Sequence, residues 1–265
     1  MKKIRSKDNP TYKEAAKLLR KKYRDQAGMF LLEGPRPVID ALKAENAIEM
    51  VFLSERIVQT VQAAECEALC EDMGVRAAML SDELFDRLSE TEQSQGVLAI
   101  ARKSIPQGLN GSAVILDRLQ DPGNIGTIIR TAEAAGFGAL IAIKGTGDIY
   151  APKTARAAAG SLLRVDVFEG VETEEALKLC REQGLRVIAS NLEGAEEYTD
   201  VDMTGEIALV IGNEGSGVSR QICDAADAKV KIPMKGNIES LNAAAAAAVL
   251  MYEAVRQRRA AGKAE

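Results

Sequence analysis

The stretch 207–242 constrains this chain more than any other: IALVIGNEGSGVSRQICDAADAKVKIPMKGNIESLN. It opens on an apolar run, Ile207, Ala208, Leu209, Val210 and Ile211, which reads as a buried strand. The run stops at Gly212-Asn213-Glu214-Gly215-Ser216-Gly217, where glycines accept positive φ and let a ligand approach the backbone. A second short strand, Lys229 to Ile232, leads into Pro233-Met234 and the loop Lys235-Gly236-Asn237. Ser240-Leu241-Asn242 then open an alanine-rich helix, with Ser240 as its expected N-cap. Two strand ends, each followed by a glycine-bearing loop, predict one crevice at the carboxyl edge of a parallel sheet, where α/β proteins bind ligands.

The chain before this stretch alternates helix and strand patterns. Asn9-Pro10 caps a first helix expected to run to about Arg24. Strands at Met29–Glu33, Glu49–Leu53, Val75–Leu80 and Gly96–Ala101 alternate with helices from Pro35, over Val58–Met73 and over Asp82–Leu88. That is the pattern of a small α/β sandwich spanning residues 1–103. Residues 104–112, with Pro106, Gly108, Asn110 and Gly111, read as a linker. From Ala113 to the C-terminus, strands at 113–116, 139–143, 164–167 and 185–189 alternate with helices. This predicts a second domain, 113–265, built on a parallel, doubly wound sheet flanked by helices. Within it Asn124 is the expected N-cap of a helix whose apolar stripe is Ile125, Ile128, Ala132 and Ala135. Arg130 lies off that stripe. Gly136-Phe137-Gly138 precedes a strand instead of opening a helix, so it is no dinucleotide fingerprint.

Composition removes several chemistries. Histidine is absent from all 265 residues, which takes away the commonest general base and metal ligand and makes Ser–His, Cys–His and zinc-water enzymes poor fits. No metal is expected. The four cysteines (Cys66, Cys70, Cys180, Cys223) show neither a CxxC pair nor disulfide-like spacing, and no secretory or membrane-spanning stretch is present. Buried free thiols in a cytoplasmic protein are expected. The overall charge of −5 conceals an asymmetry: residues 1–25 hold ten lysines and arginines against Asp8, Glu14 and Asp25. A basic arm on an otherwise acidic chain points to a polyanionic partner, the alternative being a solvated helix face.

Three islands remain: Asn124-Ile125-Gly126-Thr127-Ile128-Ile129-Arg130, then Gly212 to Gly217, then Ile232-Pro233-Met234 with Ser240-Leu241-Asn242. In this order they resemble the three motifs of the SpoU (TrmH-like) branch of the SPOUT RNA methyltransferases: N-x-G-x-x-x-R, a strand with G-x-E-x-x-G, and I-P-M-x-G-x-x-x-S-L-N. The likeness covers residues 113–265. Phe30-Leu31-Leu32-Glu33-Gly34 and Ser94-Gln95-Gly96-Val97 also look like the RNA-binding domain often attached to these enzymes. Ala243-Ala244 stand where the family commonly has Val-Ser, and Ala158 where many relatives have Ser, differences that bear on subfamily and RNA choice.

The resemblance implies a trefoil-knotted C-terminal domain that binds S-adenosylmethionine, a homodimer with Ala243–Val255 near the contact, and methyl transfer to an RNA ribose 2′-hydroxyl. It sets Gly212, Ile232 and Leu241 against the cofactor, with Gly217, Met234 and Leu192 beside them. For Ile232 and Leu241 the competing reading is plain core packing. Arg130 would engage the ribose and adjacent phosphate, since a guanidinium with a pKa above about 12 scarcely gives up its proton. Asn124 would orient Arg130 or substrate, Glu214 would brace the site, and Ser240 with Asn242 would lie beside the substrate. Lys17, Arg20, Lys21, Lys22 and Arg24 are the expected RNA contacts. The appended N-terminal domain favours large-subunit ribosomal RNA. A transfer-RNA enzyme of the same family and a catalytically silent RNA-binding or ribosome-assembly protein are the alternatives.

Overall fold

A computed structural model describes residues 1–44, 48–89, 91, 93–191, 194–236 and 240–262. Leu192, expected near the cofactor, lies outside the described residues, as does Asn237. The chain divides into two compact units: Met1–Ser104 with Tyr150–Leu163, and Ile105–Ile149 with Arg164–Glu265.

The first unit contains β1 (Lys2–Ile4), α1 (Pro10–Lys17), α2 (Lys21–Ala27), β2 (Met29–Glu33), α3 (Pro35–Lys43), β3 (Ile48–Ser54), α4 (Val61–Asp72), β4 (Arg76–Leu80), α5 (Asp82–Ser89) and β5 (Val97–Arg102). Its sheet has the order β1-β4-β3-β5-β2, with β1, β4 and β3 parallel and β5 antiparallel to both β3 and β2. Side chains alternate across each strand. Leu31, Phe52, Leu80, Leu98 and Ile100 therefore pack with Tyr12, Ala15 and Leu18 of α1 and Leu84, Phe85 and Leu88 of α5.

Two expectations are corrected here. The first helix does not run to Arg24; it stops at Lys17, and α2 begins after a turn at Leu18–Arg20. The break is held by Arg24 itself, which is buried and donates from Nη1 to the Leu18 carbonyl at 2.6 Å, one of the carbonyls left open at the end of α1. Arg24 is thus a structural residue of the turn and not an exposed RNA contact. The second correction concerns residues 150–163, expected within the second domain. They pack with the first unit, where Tyr150 sets its ring 5.0 Å from that of Phe30 and carries the Lys103 ammonium 4.3 Å above its centroid. Arg156 pairs with Glu33 at 3.0 Å, and the other oxygen of that carboxylate accepts from Ser89, Thr91 and Ser94. A side-chain lock of this kind joins residues far apart in sequence and leaves no periodic trace.

The second unit contains β6 (Ala113–Asp117), α6 (Pro122–Ala134), β7 (Ala139–Ile143), then, after the excursion that holds α7 (Pro152–Ala158), β8 (Asp166–Val171), α8 (Thr173–Glu182), β9 (Arg186–Ser190), β10 (Glu196–Glu197), β11 (Ile207–Gly212), α9 (Arg220–Ala225), β12 (Ala228–Lys231) and α10 (Ala243–Ala260). The sheet order is β10-β12-β9-β11-β6-β7-β8, and every described pairing in it is parallel. One face, with Ile115, Ile141, Val187 and Val210, packs on Leu177 and Cys180 of α8 and Ile222 of α9. The predicted stripe of α6 is buried, and α6 packs against α10.

Two helix starts differ from expectation. Asp121, not Asn124, caps α6: its Oδ1 accepts from Asn124 N at 2.8 Å, and Pro122 occupies the first helical position, where a missing N–H costs nothing. Asn242, not Ser240, caps α10, its Oδ1 accepting from Ala244 N at 2.9 Å and Ala245 N at 3.3 Å. Asn124 and Ser240 are thereby relieved of capping duty. Among the described residues no helix is long and apolar enough to cross a membrane.

All four thiols are buried and free. Burial pushes Cys66 up to about 12, with the neighbouring Cys70 adding to it, and raises Cys70 and Cys180 to about 11. At mildly alkaline pH almost none of these sulfurs is a thiolate, the reactive form. The folded protein should therefore leave them unmodified by an aromatic disulfide reagent, and all four should react once denaturant is added.

Candidate active site

The three sequence islands meet at the carboxyl edge of the second unit's sheet. The second and third border a cavity of about 590 Å³ lined by Ile211, Gly212, Gly217, Ile232, Leu241 and Leu250, among others, and the first is bonded to that wall. Met234, Glu214, Ser240 and Asn242 also lie on its wall. Strands β12, β9 and β11 supply its floor, and hydrogen bonds from Asn191 N to Val230 O at 3.0 Å and from Ser190 Oγ to Val210 O at 2.9 Å hold their ends level.

Each loop has a local reason for its shape. Asn213 and Gly217 bond each other in both directions, N to O at 3.1 and 2.9 Å, folding 213–217 back over the end of β11. A Cβ on Gly212 would stand 2.2 Å from Gly217 C and Val218 N, so a side chain is excluded there by the returning loop itself. Gly217 has φ +68°, the left-handed region that favours glycine. The side chain of Asn213 completes the turn: its Oδ1 accepts from Gly215 N and Ser216 N at 3.0 and 3.1 Å, while its Nδ2 donates to Arg118 O at 2.9 Å.

Glu214 is the hub. Its carboxylate accepts from Gln120 N at 3.2 Å, Asp121 N at 3.1 Å and Asn124 Nδ2 at 3.2 Å. These are donors at the entrance of α6, where a negative charge is favoured by unpaired N–H groups and the helix dipole. Burial alone would raise its pKa, but the hydrogen bonds from its own loop, from Asp121 and Gln120 and from Asn124 prevail and hold it below the ordinary carboxylate value. Because a carboxylate only accepts, the Asn124 amide must present Nδ2 to Glu214 and turn Oδ1 away. That Oδ1 accepts from Asn242 Nδ2 at 2.9 Å, which leaves Asn242 Oδ1 for the first amides of α10. One polar chain, Glu214–Asn124–Asn242, thus fixes the sense of both amides and joins all three islands.

Of the predicted site residues, Gly212, Gly217, Glu214, Ile232, Met234, Ser240, Leu241 and Asn242 come together on the cavity wall, and Asn124 is bonded to two of them. Core packing does not account for Leu241, which is 39% exposed, or for the half-buried Ile232. Arg130 is not on the wall. It lies on the exposed side of α6 in line with Thr127, six residues past Asn124, or about 9 Å along the axis at the standard helix rise. Asn213, Gln120 and Arg118 were missed as site-building residues. The G-N-E-G pattern offered Asn213 as a turn-former, but nothing in the sequence marks Arg118, whose backbone takes φ +59°.

The cavity has the makings of an S-adenosylmethionine site. Its apolar walls suit an adenine ring and a thioether chain, and the backbone of the Gly212–Gly217 loop suits hydrogen-bonding edges. Gly212, Gly217, Ile232, Met234 and Leu241 are the residues that would hold it, and the group would supply an electrophilic methyl.

Comparison with known proteins agrees with this fold. Residues 111–252 match the SpoU rRNA Methylase family, and residues 9–99 match the MRM3-like substrate binding domain. The chain belongs to the SpoU rRNA methylase family, the RNA 2′-O-ribose methyltransferases that use S-adenosylmethionine. It is 34% identical to the 23S rRNA (guanosine(2553)-2′-O)-methyltransferase RlmP of Bacillus subtilis over 95% of this chain and 98% of that protein. Among solved structures, the AdoMet-bound rRNA methyltransferase from Sinorhizobium meliloti is 30% identical with a TM-score of 0.85, covering 96% of this chain and 97% of that one. The SpoU methyltransferase AviRb from Streptomyces viridochromogenes is 28% identical with a TM-score of 0.84, covering 97% and 100%.

The lowered pKa of Glu214 means that its ionised form stabilises the folded loops above the ordinary carboxylate range. That contribution disappears as pH falls through the folded value. Glu214→Gln should therefore melt below the wild type at neutral pH, with the difference closing in strong acid. Thermal unfolding followed across that range measures it, and a constant gap at every pH would contradict the clamp.

Proposed function

We propose that this protein transfers the methyl group of S-adenosylmethionine to a ribose 2′-hydroxyl of large-subunit ribosomal RNA, as a cytoplasmic homodimer. The observation that carries the reading is the Glu214–Asn124–Asn242 chain, which ties the two segments lining a cavity suited to the methyl donor to the start of α6. Likeness along nearly the whole chain to a Bacillus enzyme named for 23S ribosomal RNA supports the choice of substrate. Retention of Asn124, Arg130, Glu214 and Asn242 speaks against a silent RNA-binding protein.

Methyl transfer needs the hydroxyl oxygen placed in line with the donor's carbon–sulfur bond, so positioning supplies much of the rate. The chain's own groups divide that work. Ser240 and Asn242, on the cavity wall, stand where an incoming ribose would meet the donor. Arg130, exposed and away from the wall, takes the RNA side: its guanidinium engages the target ribose and adjacent phosphate and offsets the charge that develops on the oxygen. Exposed Val249 and Tyr252 on α10, the helix that packs on α6, offer an apolar face for the second copy.

Labelled methyl transfer into large-subunit RNA and transfer RNA from a strain lacking the protein tests this reading. The wild type should label the ribosomal RNA. Arg130→Ala should lower turnover by about 10²–10³-fold, the usual cost of losing one charge-stabilising group, while leaving cofactor affinity unchanged. Label confined to transfer RNA would overturn the substrate, and full turnover by the variant would overturn the role of Arg130.

The basic patch gives a second test. Lys17, Arg20 and Lys22 form no ion pair with a described residue, whereas Lys21 is bonded to Asp25 at 2.9 Å. Replacing the four by alanine should weaken RNA binding and flatten its salt dependence. On a single strand the slope should fall by about 0.7 for each phosphate that is no longer neutralised. Lys21 should contribute least.

A further inference from the structure

The first unit holds a cavity of its own, of about 420 Å³, beneath the α1–α2 turn. Its floor is Met29 of β2 and Ile100 of β5, with Leu18 at one side and the half-buried ring of Tyr23 from α2 at another. Polar groups stand at the rim: Glu14 and Lys17 from α1, Gln26 from α2, Arg76 from the start of β4, and Glu49, whose carboxylate is fixed by the Arg102 guanidinium. The volume lies in the range of roughly 300–1,000 Å³ typical of small-ligand sites.

We propose that this cavity receives one unstacked nucleobase of the RNA substrate, a subsite remote in sequence from the methyl-donor loops. The inference rests on the reading of the chain as an RNA methyltransferase. Three features select a base over other occupants. An aromatic ring above an aliphatic floor is suited to a flat π-surface, and stacking of this kind is how single-stranded RNA is commonly held. Glu49, oriented by its ion pair with Arg102, offers acceptors for an exocyclic amino group, and Arg76 offers donors for a ring nitrogen or carbonyl. Around the mouth Lys17, Arg76, Arg20 and Lys22 outweigh Glu14, a positive balance that suits a nucleotide's phosphates. Lys17 on the rim, with Arg20 and Lys22 on the adjoining turn, carries positive charge unpaired with any described residue, whereas Lys13 and Lys21 are paired with Asp8 and Asp25. A base in the cavity would thus leave its flanking phosphates beside uncompensated cations. Leu18, whose carbonyl buried Arg24 holds at the break between α1 and α2, is also part of the cavity wall.

The test uses the full chain and two fluorescent probes: a short single-stranded RNA and an abasic ribose–phosphate chain of equal length. Two variants alter the cavity in opposite senses. Tyr23→Ala removes the stacking ring, and Ala27→Phe fills the mouth from the exposed end of α2, with circular dichroism melts confirming that each remains folded. Both should lose about tenfold in affinity for the base-bearing RNA and nothing for the abasic chain. Lys22→Ala, outside the cavity, should weaken both probes alike. Wild-type affinity in Tyr23→Ala and Ala27→Phe, equal losses on both probes, or a wild type that binds the two probes equally would overturn the proposal. Methyl transfer by the wild type is followed in parallel. Its absence would overturn the enzyme reading, and this inference with it; its presence together with unaffected variants would overturn the nucleobase site alone.

Discussion

The second unit depends on one carboxylate at the entrance of one helix. Glu214 reaches from the loop after β11 to the free amides of Gln120 and Asp121 and to the side chain of Asn124, and everything downstream takes its polarity from that choice. An acceptor-only group sets the direction of the Asn124 amide, which sets that of Asn242, which caps α10. Helix α10 in turn fixes the lower loop, since Gln257 accepts from Met203 N at 2.7 Å and donates to Val201 O at 3.0 Å. Removing the charge would loosen a cavity wall, a helix start and a loop together. A site built from loops is precise only when the loops are tied to one another and to rigid elements, as the cavity segments are tied here to α6 and the strands.

Much of the parallel sheet was legible in the sequence because its strands are continuous apolar runs. Ala139–Ile143 and Ile207–Ile211 stand out by composition alone, and the turns between them carry glycine or proline. Features that depend on a single distant side chain were not legible. The break between α1 and α2 exists because the Arg24 guanidinium finds a carbonyl six residues back, and a basic helix pattern conceals it. The excursion of residues 150–163 into the first unit depends on Arg156 meeting Glu33, a pair 123 residues apart.

The candidate site shows the same division. The second and third motif islands marked which residues gather at the cavity, where Leu241 is exposed and Ile232 half-buried instead of packed in the core. Their mechanics differ from expectation. Gly212 is required by the loop folding back upon it, Asp121 takes the capping role expected of Asn124, and Asn242 takes that of Ser240. In each case a polar side chain with two plausible jobs is assigned by which partner lies within reach, a matter of tertiary geometry. Freed from capping, Asn124 becomes the link between Glu214 and Asn242.

The most direct test of the account is a crystal structure of the protein with S-adenosylmethionine. The account predicts the cofactor between the loop Gly212–Gly217 and the segment Ile232–Leu241, with the hydrogen bonds from Asn124 to Glu214 and from Asn242 to Asn124 both intact. Cofactor bound elsewhere, or bound there with either of those bonds broken, would contradict it.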